Sequence, residues 1–187
     1  MKRFYPDYAS IHAFTLTLDF HRSELECIHC LKSDQLISHG NICKQRSQSW
    51  AEKVGKRLFC SNRNGRSGCG RTFQLYAATE IPACRYNIAH LCLFIIALKA
   101  NKTIHDAYHH ATGQLECRHA WRWLKRLMIK ISDYRCVLRC RSSGLLNTTP
   151  LFKSLYLQHL LPTLTRLLSS SNNGFTDYQM RQQQAFF

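Results

Sequence analysis

Two pairs of cysteines constrain this chain more than any other feature. Cys27-Ile28-His29-Cys30 is a C-x2-C knuckle, and Cys60 and Cys69 follow about thirty residues later. Four thiolates split two and two at this separation suit a tetrahedral Zn2+. The second pair is expanded, with eight residues between its cysteines instead of two. Gly65, Gly68 and Gly70 supply turns that let such a loop fold back, and Phe59 and Phe73 flank it as packing residues. A β-rich unit this small has too little core to fold alone, so the metal supplies folding free energy. Cys27, Cys30, Cys60 and Cys69 are therefore the expected ligands, with His29, His39 and Cys43 in reserve. Cys136 and Cys140, one helical turn apart, form a second arrangement of a kind more often explained by packing.

Charge narrows the function. Among 187 residues, 26 Lys and Arg face 11 Asp and Glu, a formal charge of +15. Basic residues spread over most of the chain are the footprint of a polyanion binder; the alternative is a basic protein kept soluble by charge. Ten cysteines would fit a secreted disulfide scaffold. Against that, the first twenty residues hold no uninterrupted apolar run and no small-residue cleavage site. Cys92 lies in an apolar helical run, where a thiol acts as a small hydrophobe. The expectation is a reducing, cytoplasmic compartment and no membrane partner, since the longest apolar stretch, 88–98, is too short to span a bilayer.

The fold class expected is α+β. Residues 14–20 alternate apolar and polar, a strand pattern. Short β-prone pieces follow at 35–38, 42–47, 53–60 and 72–76, separated by glycines. After Pro82 the period becomes helical: one nearly buried helix over 85–100, a second over 104–111 capped by Thr103 and broken by Gly113, and a third from about 116 to 139. Residues 145–150 read as a linker, 150–169 as a helical stretch interrupted or kinked near Pro162, and 169–174 as a flexible tract. The expected domains are a zinc ribbon with its preceding strand over 1–80, a helix-turn-helix region over 81–141, a C-terminal helical segment over 142–172 and a flexible tail over 173–187.

A short helix, a Gly turn and then a basic helix is the helix-turn-helix plan. Ala107 stands where the two helices must approach, and Leu124 and Leu127 would anchor the second. Arg118, His119, Arg122, Lys125, Arg126 and Lys130 are left facing outward, toward base edges and phosphates. Trp121 and Trp123 cannot both face the core. The competing reading is a helical hairpin with a solvated basic face. Arg63, Arg66 and Arg71, around the expanded cysteine pair, are further candidates for phosphate contact.

Taken in order, the C-x2-C knuckle, a glycine-containing hairpin, Phe59-Cys60, the run Cys69-Gly70-Arg71-Thr72-Phe73-Gln74 and the helix-turn-helix resemble the N-terminal proteins of bacterial insertion sequences. The resemblance covers about residues 25–130. It departs in the longer second knuckle, and neither the N-terminal strand nor the C-terminal 50 residues match. It implies a zinc-ribbon and helix-turn-helix protein that binds double-stranded DNA at a mobile element, alone or with a transposase or recombinase.

Catalysis is not expected. A DDE transposase needs three acids on an RNase-H-like sheet, and the eleven acids here are scattered, with only four after Cys84. At the end of the chain, Gln183-Gln184-Ala185-Phe186-Phe187 resembles the Gln-x-x-Phe-Phe peptides that dock on the replication sliding clamp, with Gln183, Phe186 and Phe187 as contacts. The alternative is that both rings fold back on the core. Two competing functions remain: a protein–protein adaptor recruiting a recombinase or the clamp with only non-specific DNA affinity, and an RNA-binding zinc ribbon. A homo-oligomer is compatible with all of them.

Overall fold

The computed structural model describes residues 3–46, 50–139, 155–169 and 174–186. It is a mixed α+β structure that divides into two compact units, Met1–Arg85 with Gln182–Gln184, and Tyr86–Arg181 with Ala185–Phe187. Among the described residues there are four strands, in one sheet, and seven α-helices.

In the first unit the strands are β1 (Phe4–Tyr5), β2 (Leu36–Gln45), β3 (Ala51–Cys60) and β4 (Thr72–Ala77), in the order β1-β4-β3-β2. β2, β3 and β4 are antiparallel neighbours, and the short β1 lies parallel to β4. Side chains alternate across a strand, so Leu58 and Cys60 of β3 and Phe73 and Leu75 of β4 share a face. That face packs with Leu36, Ile11, Leu18 and Cys27 into one core. β2 is a single ten-residue strand, not two pieces, because register irregularities between Ser38 and Asn41 absorb Gly40.

The strand expected over 14–20 is absent. The segment is helix α1 (Tyr8–Leu16) followed by a 3-10 turn, Thr17–Asp19. Asp7 caps α1 by accepting the Ser10 N–H at 2.7 Å. Ile11, Thr15 and Leu18 are buried at helical spacing, whereas Leu16 and Phe20, which made the alternation, are 65% and 84% exposed. Helical period therefore selects the buried set.

Glu80 is buried near the sheet edge, 3.0 Å from Lys44 Nζ, and also pairs with Arg46. Lys44 donates in addition to the Ile81 carbonyl at 2.7 Å, so the cation that pairs the buried carboxylate is itself tied to backbone.

The second unit is helical: α2 (Ile88–Lys99), α3 (Ile104–Thr112), α4 (Arg118–Ile129), α5 (Ile131–Arg139), α6 (Leu155–Ser169) and α7 (Gly174–Gln182). Asn87 caps α2 and Thr103 caps α3; Gly113, at φ +70°, ends α3 in the left-handed conformation that lacks a Cβ penalty only in glycine. Tyr86, Phe94, Tyr108 and Trp123 meet edge to face at 5.4–6.4 Å and join α2, α3 and α4.

Three helical expectations change. The helix over 116–139 is two helices, because the backbone at Lys130 departs to φ −96° and ψ 7°. The Tyr134 N–H still reaches the Lys130 carbonyl at 3.2 Å, so the break is confined to one residue. α6 continues through Pro162, with Leu160, Leu161, Leu164 and Leu167 buried on one side. The tail is not a free peptide: α7 places Phe175 and Tyr178 in the core, and Phe186 joins them. The expected linker at 145–150, Cys140 and most of the expected flexible tract lie outside the described residues.

Candidate functional site

The cysteine cluster is built by two turns. Cys27 and Cys30 stand in a tight turn before β2, closed by Leu31 N–H to the Cys27 carbonyl at 2.8 Å and by Cys27 N–H to the Lys32 carbonyl at 3.0 Å. Cys60 ends β3, and the loop to β4 carries Cys69 back over it. Cys60 N–H to Arg71 and Gly70 N–H to Cys60, both 2.9 Å, zip the loop's base. Lys32 Nζ donates to the Ser67 carbonyl at 2.8 Å, and Gln35 Oε1 accepts the Ser67 N–H at 2.9 Å, so the first turn holds the second.

All four sulfurs lie within 4.8 Å of one another. Cys27 and Cys69 are 3.8 Å apart, and Cys30 and Cys60 are 3.7 Å apart. A tetrahedral ion with bonds of about 2.3 Å holds its sulfurs about 3.8 Å apart. The four can hold a metal ion, and an all-thiolate set at this spacing is compatible with zinc. Two backbone donors already point at sulfur, His29 N–H to Cys27 at 3.4 Å and Cys69 N–H to Cys60 at 3.3 Å, the outer contacts expected around ligating thiolates. His29, His39 and Cys43 are not in the cluster, and it stands alone as a metal-type grouping among the described residues.

The thiols differ. The Lys32 backbone N–H, more than any other contact, holds Cys30 down to about 7, whereas burial pushes Cys60 up to about 12. Full ionisation would set charges against each other at roughly 4 kcal/mol per pair at an effective dielectric of about 20. A divalent ion removes that repulsion.

The basic helix α4 is sided. At 100° per residue, Ala120, Trp123, Leu124 and Leu127 fall on one side and are buried. Arg118, Arg122 and Lys125 fall opposite, exposed, with Ile129 among them; His119 and Arg126 flank one edge and Trp121 the other. Trp123 is thus the core tryptophan and Trp121 the outer one, 56% exposed. Ala107 is fully buried. α4 begins two residues later than the sequence suggests, and Cys117 before it supplies no side-chain cap, leaving first-turn N–H groups open.

Several expected contacts have other work. Lys130 is half-buried and donates to the Ala185 carbonyl at 3.0 Å, because it sits at the end of α4 and turns toward the tail. Arg66 donates to the Asp34 carbonyl at 3.2 Å and braces the cysteine loop. Arg63 and Arg71 are exposed. Gln183 Oε1 accepts the N–H groups of Arg3 and Phe4 at 2.6 and 2.8 Å. Phe186 is buried, stacked 4.5 Å from Tyr134, so clamp docking would require this ring to leave the core; Phe187 lies outside the described residues. Sequence reasoning missed Lys32 and Gln35. A polar pair just after a knuckle was the available signal.

No known protein family, curated protein or solved structure matches this chain. No helix among the described residues is long and apolar enough to cross a membrane.

Proposed function

We propose that this chain is a zinc-organised, non-catalytic protein that binds duplex DNA through α4, as an accessory or regulatory protein of a bacterial mobile element. The observation that carries the reading is the outer face of α4. Arg118, Arg122 and Lys125 line it with no carboxylate anywhere on the helix, and the net charge is +15. In this reading α3, Gly113 and α4 are the helix-turn-helix, with the open N-terminus of α4 adding positive potential near phosphate. Zn2+ held by Cys27, Cys30, Cys60 and Cys69 is the scaffold of the first unit. The mobile-element role rests on the Cys69–Gln74 resemblance.

The acids support the non-catalytic part. Asp7 caps α1, Asp106 accepts the hydroxyl of Thr103, the cap of α3, at 2.6 Å, Glu80 is paired inside the fold, and Glu52 pairs with Arg46 at 2.9 Å. One observation favours a second reading, an adaptor that docks on protein: Leu115, Trp121 and Ile129 are 72%, 56% and 71% exposed, Leu115 just ahead of the basic helix and the other two on it.

Arg118→Ala and Arg122→Ala test the choice in gel shifts on a duplex recovered by site selection. If the arginines read base edges, each substitution costs about 1–3 kcal/mol and relaxes the preferred sequence. Uniform loss on every duplex means phosphate contact only, and no loss removes α4 from the interface.

A further inference from the structure

The first unit contains a cleft of about 460 Å3 that the readings above leave unused. It is lined by the last residues of β2, by Arg57 of β3, by Gln74 and Tyr76 of β4, and by the segment Ala83–Arg85. Its wall holds Lys44, Arg57 and Arg85 and no carboxylate. Lys44 is taken by Glu80, but Arg57 and Arg85 are exposed and have no acidic partner among the described residues.

Arg57 and Gln74 are directly paired across β3 and β4, which sets guanidinium and amide on the same face. The Tyr76 hydroxyl donates to Gln74 Oε1 at 2.6 Å. That bond fixes the amide and leaves its NH2 as the unused end, a donor beside the Arg57 fork. The remaining wall includes apolar surface from Ile42, Tyr76 and Ala83. Cationic donors thus stand at a cavity whose apolar lining suits a sugar or base.

We infer that this cleft is a second nucleic-acid site, which takes one unpaired nucleotide of a single strand, phosphate on Arg57, Arg85 and the Gln74 amide. A duplex offers only phosphates and keeps its bases stacked away from such a cavity; a single strand can supply both. The site is independent of the duplex reading of α4.

The test is fluorescence anisotropy with a labelled oligothymidylate of about twelve nucleotides, comparing wild type, Arg57→Ala/Arg85→Ala and Arg118→Ala/Arg122→Ala. Both arginines of the cleft are exposed, so their removal leaves the fold intact, as a melting curve verifies. Loss of two charge-assisted contacts weakens binding at least about tenfold. It also lowers the salt slope by about 0.7, the value for one phosphate on a single strand. The Arg118→Ala/Arg122→Ala protein keeps most of its oligothymidylate affinity. Unchanged affinity in Arg57→Ala/Arg85→Ala overturns the inference while leaving the α4 reading standing on its duplex data. Competition by inorganic phosphate as effective as that by thymidine monophosphate overturns the nucleotide assignment, as does a wild type that binds no single strand.

Discussion

At Gly68 a single added carbon would press directly on the cysteine cluster. Its N–H donates to the Ser61 carbonyl at 2.8 Å, and Ser61 N–H is bonded to the Gln35 carbonyl at 2.7 Å. A Cβ on Gly68 would lie 2.3 Å from that Ser61 oxygen and 2.7 Å from the Cys60 sulfur. Ordinary van der Waals contact begins near about 3.5 Å, so the loop would have to move by about 1 Å against two backbone bonds. Overpacking of this kind costs about 1–3 kcal/mol, and a broken hydrogen bond adds about 1 kcal/mol. Gly68→Ala should therefore cost about 2–4 kcal/mol, or roughly 30- to 900-fold in zinc affinity if the loss falls on the metal-bound state. Competition against a chromophoric zinc chelator measures it. Gly65→Ala is the control: no atom lies within 4 Å of its Cβ, and only its φ of +76° is strained, worth about 1 kcal/mol. Equal zinc affinity in Gly68→Ala and wild type, or equal losses in the two variants, would refute the packing of this loop on Cys60.

Chelation of zinc should abolish the amide dispersion of residues 25–77 while leaving the helical circular dichroism of the second unit; an unchanged melting curve would remove the metal from the fold. Phe186→Ala empties a site that is 0% exposed and should cost about 3–5 kcal/mol in denaturant unfolding; no loss would mean the ring is not in the core. Lys56 is buried with its Nζ 2.7 Å from the Thr15 hydroxyl and 3.3 Å from His12 Nδ1, and burial holds its pKa below the ordinary lysine value. The unfolded chain thus binds the proton more tightly, and stability contributed at this site rises with pH up to the ordinary lysine range. Lys56→Met should be neutral or stabilising near pH 7 and lose that advantage in alkali; marked destabilisation at neutral pH would show that the ammonium is needed.

How much the sequence reveals differs between the two halves of the candidate site. The grouping of the four sulfurs could be read from their two-and-two spacing, which suits a tetrahedral ion. The loop between Cys60 and Cys69 could not, since its closure depends on Lys32 and Gln35, distant in the chain. On α4 the buried stripe was legible from a period near 3.6, but which tryptophan turns inward was decided by the aromatic cluster with Tyr86, Phe94 and Tyr108. Local alternation misled at 14–20, where the Asp7 cap and the Ile11–Thr15–Leu18 spacing carried the helix. The tail misled for a related reason. Polar Gln-rich sequence hides the contribution of Phe175, Tyr178 and Phe186, whose rings lie within 4.2–5.6 Å of Phe186 or of Tyr134. Such long-range packing has no signature in a window of neighbouring residues.

The most direct measurement is the ratio of affinities for a selected duplex and an unrelated one of equal length, taken at physiological salt. Recognition of sequence by α4 requires a ratio of about a thousand or more in the wild type, falling steeply in Arg118→Ala/Arg122→Ala. A wild-type ratio near one, with affinity that collapses on adding salt, would reduce the interaction to charge attraction and contradict sequence-specific DNA binding.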